Sequence, residues 1–194
     1  MKRLLLKYEK KGYAGFLSHR ETIRLLDRAL RRSGIPIVFT SGYSPRPRMT
    51  FSPALPLGVE AEAEYLEVAV EGDIDTAEAG KGLNRALPTG LRVWEVQALP
   101  PGMPKLSKWA RYGLYTVRDG DGEELLLLPL SGEKQGKLGD ALEKMAVFRG
   151  GPLEKSDVVR KGLYASRFEV FEEIEGPVFL YDGESGDLKR IEGE

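Results

Sequence analysis

Apolar and charged residues alternate over residues 3–9, where Leu4, Leu6 and Tyr8 interleave with Arg3, Lys7 and Glu9. A period of two predicts a strand with one buried face. Lys10-Lys11-Gly12-Tyr13 breaks the pattern as a turn, and Ala14 to Leu17 can extend the strand. The period then lengthens to that of a helix. Ser18 stands three residues before Glu21, the spacing of a capping box in which each side chain satisfies a backbone donor of the other. The helix so started runs to about Ser33, where Gly34 and Pro36 stop it.

At about 100° per residue, Ile23, Leu25, Leu26, Ala29 and Leu30 share one arc of this helix, the side expected to be buried. Arg20, Arg24, Arg28, Arg31 and Arg32 fall within about 120° of one another on the opposite side. Solvated helix faces usually mix the two signs. Five arginines flanked only by Glu21 and Asp27 predict a surface that meets phosphate.

Ile35 to Thr40 reads as a second strand and Tyr65 to Val70 as a third, with Glu64 and Glu67 facing out. Between them, residues 41–58 form a long loop punctuated by Pro45, Pro47, Pro53 and Pro56. Long connections inside compact domains tend to be functional or disordered, and four prolines argue for an ordered, extended one. If it is extended, Arg46 and Arg48 point to the same side, with Tyr43 and Phe51 near enough to stack on bases. Either aromatic could instead pin the loop to the core.

Asp75 caps a helix through Leu87, weakened by Gly80 and Gly82, and Leu91 to Val96 is a strand. This order predicts an α+β fold whose first unit, residues 1–98, is ferredoxin-like with a split βαβ arrangement. Residues 99–107 read as a connector. A smaller β-rich unit over 108–194 follows, with strands near 110–118, 124–130, 158–165, 167–172 and 177–182 and a helix at about 134–146. Residues 182–187 read as a turn.

Composition narrows the chemistry. With 41% hydrophobic and 30% charged residues among 194, the chain has the profile of a soluble globular protein. Its longest apolar run, Leu125 to Leu128, is too short to span a bilayer, and the start of the chain lacks a signal-peptide core, so a cytoplasmic location is expected. The sequence has no cysteine and one histidine. That excludes disulfides, cysteine nucleophiles, thiolate metal sites and cysteine-held iron–sulfur clusters. No phosphate-binding glycine loop, zinc spacing or EF-hand is present, and no cofactor is expected. Glu60, Glu62, Glu64 and Glu67 suggest the wet face of a strand more than a metal site.

The net charge of -1 conceals a steep division. Residues 1–53 hold twelve Lys or Arg against three acids, a charge of +9, and the remainder carries -10. A basic segment in a nearly neutral chain is a candidate polyanion surface, unless the acidic remainder folds back onto it. His19, in the first turn of the arginine helix, is a candidate general base on an RNA 2′-hydroxyl. It could equally hydrogen-bond a phosphate or help cap the helix.

Ser18-His19 opening the arginine helix, the run Arg28-Ala29-Leu30-Arg31-Arg32-Ser33-Gly34-Ile35-Pro36 and the stretch from Ser41 to Glu60 together resemble the radical-SAM-linked domain family. This bacterial family of unknown function occurs alone or fused behind a radical SAM domain, often encoded beside ribonuclease E/G. The resemblance is specific over residues 3–70 and fades after about 118. Two departures stand out: Arg20-Glu21 where relatives usually have Leu-Asp, and Arg46 where they usually have histidine. If that histidine is catalytic in relatives, this chain is impaired; if it binds anions, arginine replaces it well.

Three readings follow. The first is a non-catalytic RNA-binding accessory domain, in which Arg20, Arg24, Arg28, Arg31, Arg32, Arg46 and Arg48 hold phosphates while Tyr43 and Phe51 stack on bases. It would work beside a radical SAM protein or a ribonuclease. The second is a metal-independent endoribonuclease using His19, by analogy with repeat-processing endoribonucleases built from ferredoxin-like units. The third is an adaptor whose basic face meets an acidic protein.

Overall fold

A computed structural model describes residues 1–119, 122–132, 135–166, 169–170 and 176–191. The fold is α+β, with nine strands and four α-helices of defined extent among these residues. The chain divides into two compact units, residues 1–55 with 63–108, and residues 56–62 with 109–194.

In the first unit the chain runs β1 (Lys2–Lys10), a 3-10 turn (Gly12–Phe16), α1 (His19–Arg32), β2 (Met49–Phe51), β3 (Glu60–Val70), α2 (Thr76–Ala86) and β4 (Leu91–Ala98). The strands lie in the order β4-β1-β3, with β2 on the far side of β3. The β1–β4 and β2–β3 pairs are antiparallel. Leu4, Leu6 and Tyr8 of β1 and Leu66, Val68 and Val70 of β3 pack with Leu26, Ala29 and Leu30 of α1 and with Leu83 of α2. Alternation in the strands and the three-to-four spacing in the helices thus point into one core.

Helix α2 keeps Gly82 for a steric reason. A Cβ there would stand 2.5 Å from the Ser33 carbonyl oxygen, so only glycine lets α2 approach the end of α1 this closely.

Several expectations need correction. Ala14 to Leu17 does not extend β1; most of it is the 3-10 turn. Ile35 to Thr40 is no strand but makes two isolated bridges, Ile37 to Val70 and Phe39 to Pro47. Pro36 and Pro47 lack the N–H that a ladder requires, so regular pairing cannot propagate through them. The second strand lies instead inside the proline-rich stretch, as β2. Ile23, expected in the core, is only half-buried on α1.

Glu64 and Glu67 do not face out. Three residues apart on one strand, they occupy opposite faces and cannot share a wet one. Both are buried: Glu64 accepts a hydrogen bond from the Ser52 hydroxyl at 3.0 Å, and Glu67 accepts from Arg3 Nη1 at 2.9 Å and from the Leu106 backbone N–H at 3.0 Å. The connector after β4 is therefore fastened to the unit by a carboxylate. Arg3 adds a second fastening by donating to the Met103 carbonyl.

In the second unit, α3 (Leu106–Trp109), whose first residues belong to the first unit, leads into β5 (Tyr112–Asp119), β6 (Gly122–Pro129), α4 (Leu138–Arg149), β7 (Val158–Tyr164), β8 (Val178–Asp182) and β9 (Asp187–Ile191). Antiparallel pairs join β5 to β6, β5 to β7 and β8 to β9, while β6 and β8 are parallel. Glu60 and Ala61, the start of β3, belong to this second unit and pair in parallel with β7. Helix α4 starts later than expected and lacks a side-chain cap at Lys137; Gly150, at φ 80°, ends it. The strand expected at 167–172 is helical at Glu169 and Val170, and its other residues lie outside the described ones. Residues 183–186 form the expected turn, and β9 beyond it had no clear alternation to announce it.

No helix among the described residues is long and apolar enough to cross a membrane. No three metal-ligating side chains cluster among them.

Candidate functional site

The capping box forms. Ser18 Oγ accepts from the Glu21 backbone N–H, and the Glu21 carboxylate accepts from the Ser18 backbone N–H at 2.8 Å and from its hydroxyl at 2.6 Å. This sets where α1 begins, and with it where His19 and Arg20 project. The hydrogen bonds from Ser18, hydroxyl first and backbone second, hold the Glu21 carboxyl below its ordinary value, and Arg24 adds attraction. A depressed folded value contributes stability above the unfolded carboxyl range and loses it as pH falls through the folded value. Glu21→Gln should therefore lose thermal stability less steeply than the wild type on acidification below about pH 4.5. Identical acid slopes in melting curves would show that the cap does not titrate in this way.

Opposite α1, the proline-rich stretch doubles back on itself. The Thr40 N–H donates to the Arg46 carbonyl at 2.8 Å, the Arg46 N–H to Thr40 Oγ1 at 3.0 Å, and the Arg48 N–H to the Val38 carbonyl at 2.9 Å. Gly42, at φ 119°, makes the sharp turn at the tip, a conformation side chains rarely adopt. Tyr43 beside it is fully exposed. Arg31 of α1 ties the two pieces together. Its Nη2 donates to the Pro45 carbonyl at 3.0 Å, its Nε to Asp27 at 2.9 Å, and its guanidinium lies 4.9 Å from the centre of the Phe39 ring.

Between α1 and this hairpin lies an open cleft of about 730 Å³, lined by His19, Arg20, Ile23, Arg24, Asp27, Arg31, Ser44, Pro45, Arg46 and Met49. Arg20, Arg24 and Arg46 have no salt-bridge partner among the described residues, and all three are exposed. The single acid on the wall, Asp27, is already paired with Arg31. Three guanidiniums without a salt bridge among the described residues line one concavity, a concentration of positive charge that the bulk net charge conceals.

The other basic residues are distributed differently. Lys2 pairs with Asp73, Arg3 with Glu67 and Lys11 with Glu9. Arg32 turns towards α2 and donates to the Ala86 carbonyl at 2.8 Å, satisfying the end of that helix. Arg48 lies 3.9 Å from the Met1 sulfur, and neither it nor Arg28 lines the cleft. Phe51 is half-buried, and its ring meets that of His19 edge-on, with centroids 5.5 Å apart. The two ring planes are 84° apart, while Tyr43 keeps its face in solvent.

Ile23, Asp27, Ser44, Pro45 and Met49 complete the cleft and were not among the residues expected there. Ser44 and Pro45 sit in the hairpin turn, and no periodicity in the sequence announces that the turn folds back over α1. Ile23 lies at the edge of the apolar arc, where a helical wheel cannot separate core from rim. Among family models, one described as an uncharacterized protein conserved in bacteria (DUF2344) matches residues 3–155. No curated protein matches the chain.

Proposed function

We propose that this chain, which belongs to that bacterial family, is a non-catalytic RNA-binding accessory protein gripping the phosphate backbone in the cleft between α1 and the hairpin. One observation carries this reading: Arg20, Arg24 and Arg46 line a single concavity with no salt bridge among the described residues, although the chain as a whole is almost neutral. Keeping guanidiniums close together without counter-charge costs stability through repulsion, and a bound polyanion relieves it. Arg31, fixed by Asp27 and Pro45, shapes the wall, and Tyr43 at the hairpin tip is available to a base.

The strand order β4-β1-β3-β2, with a helix after β1 and another after β3, supports a ferredoxin-like first unit, a scaffold on which RNA readers recur. We place the protein in the cytoplasm beside a radical SAM enzyme or a ribonuclease, as the family resemblance implies. A chain without cysteine supplies no thiolates for a cluster, so any radical chemistry belongs to that partner.

Filter binding to total RNA across a salt series tests the reading. The wild type should bind steeply salt-dependently, and Arg20→Ala or Arg24→Ala should each lower the slope by about 0.7 for single strands. Arg32→Ala, removing a residue committed to Ala86, should leave the slope unchanged. No binding even at low salt would overturn the reading and direct the search to an acidic protein partner.

The position of His19 favours a second reading, an endoribonuclease. His19 lines the same cleft, exposed and held edge-on by Phe51. As general base it would take the 2′-hydroxyl proton while the new oxygen–phosphorus bond forms and the 5′-oxygen leaves with a proton from solvent. EDTA-resistant cleavage leaving a 2′,3′-cyclic phosphate and lost in His19→Ala would establish it. Equal cutting by His19→Ala would remove it.

A further inference from the structure

We propose that the 3-10 turn Gly12–Phe16 is a base-stacking shelf, and that the RNA taken by the neighbouring cleft is single-stranded. Tyr13 and Phe16 are two of the most exposed aromatic side chains, at 94% and 65%. They stand three residues apart, and in a 3-10 helix such side chains eclipse one another, so both rings project from one side. Two aromatic rings left in water are apolar surface that folding has not used.

The backbone that carries them is anchored at every stage. The Lys11 N–H donates to the Gly90 carbonyl, the Ala14 N–H to the Lys11 carbonyl and the Leu17 N–H to the Ala14 carbonyl. Lys10, only 3% exposed, sends its ammonium to the Leu17 carbonyl at 2.7 Å, fastening the far end of the turn. Ala14 and Gly15, which separate the two aromatics in sequence, are buried, Ala14 in the core of the first unit. Gly90, at φ 91°, comes so close that a Cβ on it would meet the Lys11 carbonyl oxygen at 2.7 Å. A desolvated ammonium and a close-packed glycine hold this short turn rigid while its aromatic rings stay outside. Rigid, exposed rings are what a stacking ligand needs, because little entropy remains to be lost on binding.

Charge complementarity identifies the occupant. Phe16 precedes His19 by three residues, so at most about 11 Å of chain separates it from the first residue lining the cleft, and Arg20 follows at once. Aromatic rings beside uncompensated arginines match a single strand, whose phosphates meet guanidiniums and whose unstacked bases meet rings. A duplex keeps its bases stacked internally and offers nothing to the shelf. This inference rests on the RNA reading of the cleft and adds the strandedness of the ligand.

The test uses a short single-stranded oligoribonucleotide carrying 2-aminopurine, the same strand in a duplex, and the Tyr13→Ala/Phe16→Ala protein. Both side chains are exposed, and unchanged melting curves confirm that the variant folds. The wild type should bind the single strand more tightly than the duplex and change the 2-aminopurine fluorescence. The variant should bind the single strand about tenfold more weakly or worse, lose the fluorescence change, and keep the salt slope, since no phosphate contact is removed. Wild-type and variant proteins binding the single strand alike would overturn the shelf while leaving the arginine cleft standing. No salt-dependent binding of either RNA by the wild type would overturn both.

Discussion

Arg24→Glu/Arg46→Glu should bind RNA up to about a thousandfold more weakly than the wild type near 0.1 M salt, with a salt slope lower by about 1.4. Each guanidinium that meets a phosphate of a single strand releases about 0.7 of a counterion, worth about 0.7 of a decade in affinity at that ionic strength. Two lost contacts and two carboxylates repelling the backbone by a similar amount combine to nearly three decades. The effect falls chiefly on binding because Arg24 and Arg46 are exposed and neither makes a salt bridge among the described residues, Arg24 only adding attraction to the Glu21 carboxylate. Of the other two arginines lining the cleft, Arg31 is committed to Asp27 and the Pro45 carbonyl, so Arg20 alone remains to meet a phosphate. Parallel thermal melts separate lost binding from lost structure. An unchanged slope in a folded variant would place the RNA elsewhere on the protein.

Removing Glu67 should damage stability rather than binding. Glu67→Ala is expected to cost about 3 kcal/mol, measured by urea unfolding, the lower end for breaking a buried ion pair because Arg3 remains about a fifth exposed. The carboxylate serves two donors at once. Its loss strips Arg3 of its counter-charge and leaves the Leu106 backbone N–H without its acceptor in a buried setting. Glu67→Gln should fall between, since an amide oxygen still accepts from Leu106 but does not neutralise Arg3. Arg3→Met/Glu67→Leu should recover much of the loss, because apolar side chains of similar size need no counter-charge. The residues 99–107 that Glu67 fastens should become more sensitive to protease in Glu67→Ala. A cost below about 0.5 kcal/mol would mean that water replaces the carboxylate without penalty.

These two results bear on different links of one chain of causes. Glu67 fastens the connector into the first unit, and the cleft arginines present charge from its surface. Of the twelve cations in residues 1–53, the fold pairs Lys2, Arg3, Lys11 and Arg31 with carboxylates and, among the described residues, leaves Arg20, Arg24 and Arg46 lining the cleft without a salt bridge. The charge count gives the excess; only the pairing shows where it can act.

Local rules determined much of this protein. The capping box at Ser18 and Glu21 and the cap of α2 at Asp75 depend on contacts within a few residues, and the spacing of Leu26, Ala29 and Leu30 and the alternation in β1 mark each buried face by period alone. The arginine stripe was legible for the same reason. Tertiary structure decided the rest. Whether Arg32 meets solvent or the end of α2, whether Glu64 and Glu67 are wet or buried, and which ring Phe51 meets within the protein depend on partners between 12 and 64 residues away. The hairpin that closes the cleft depends on prolines that forbid a regular ladder, so it carries no period to read. A periodic pattern reports which face of an element is buried, but not which neighbour covers it. The identity of that neighbour, set when distant segments pack, turns a stripe of arginines into a cleft.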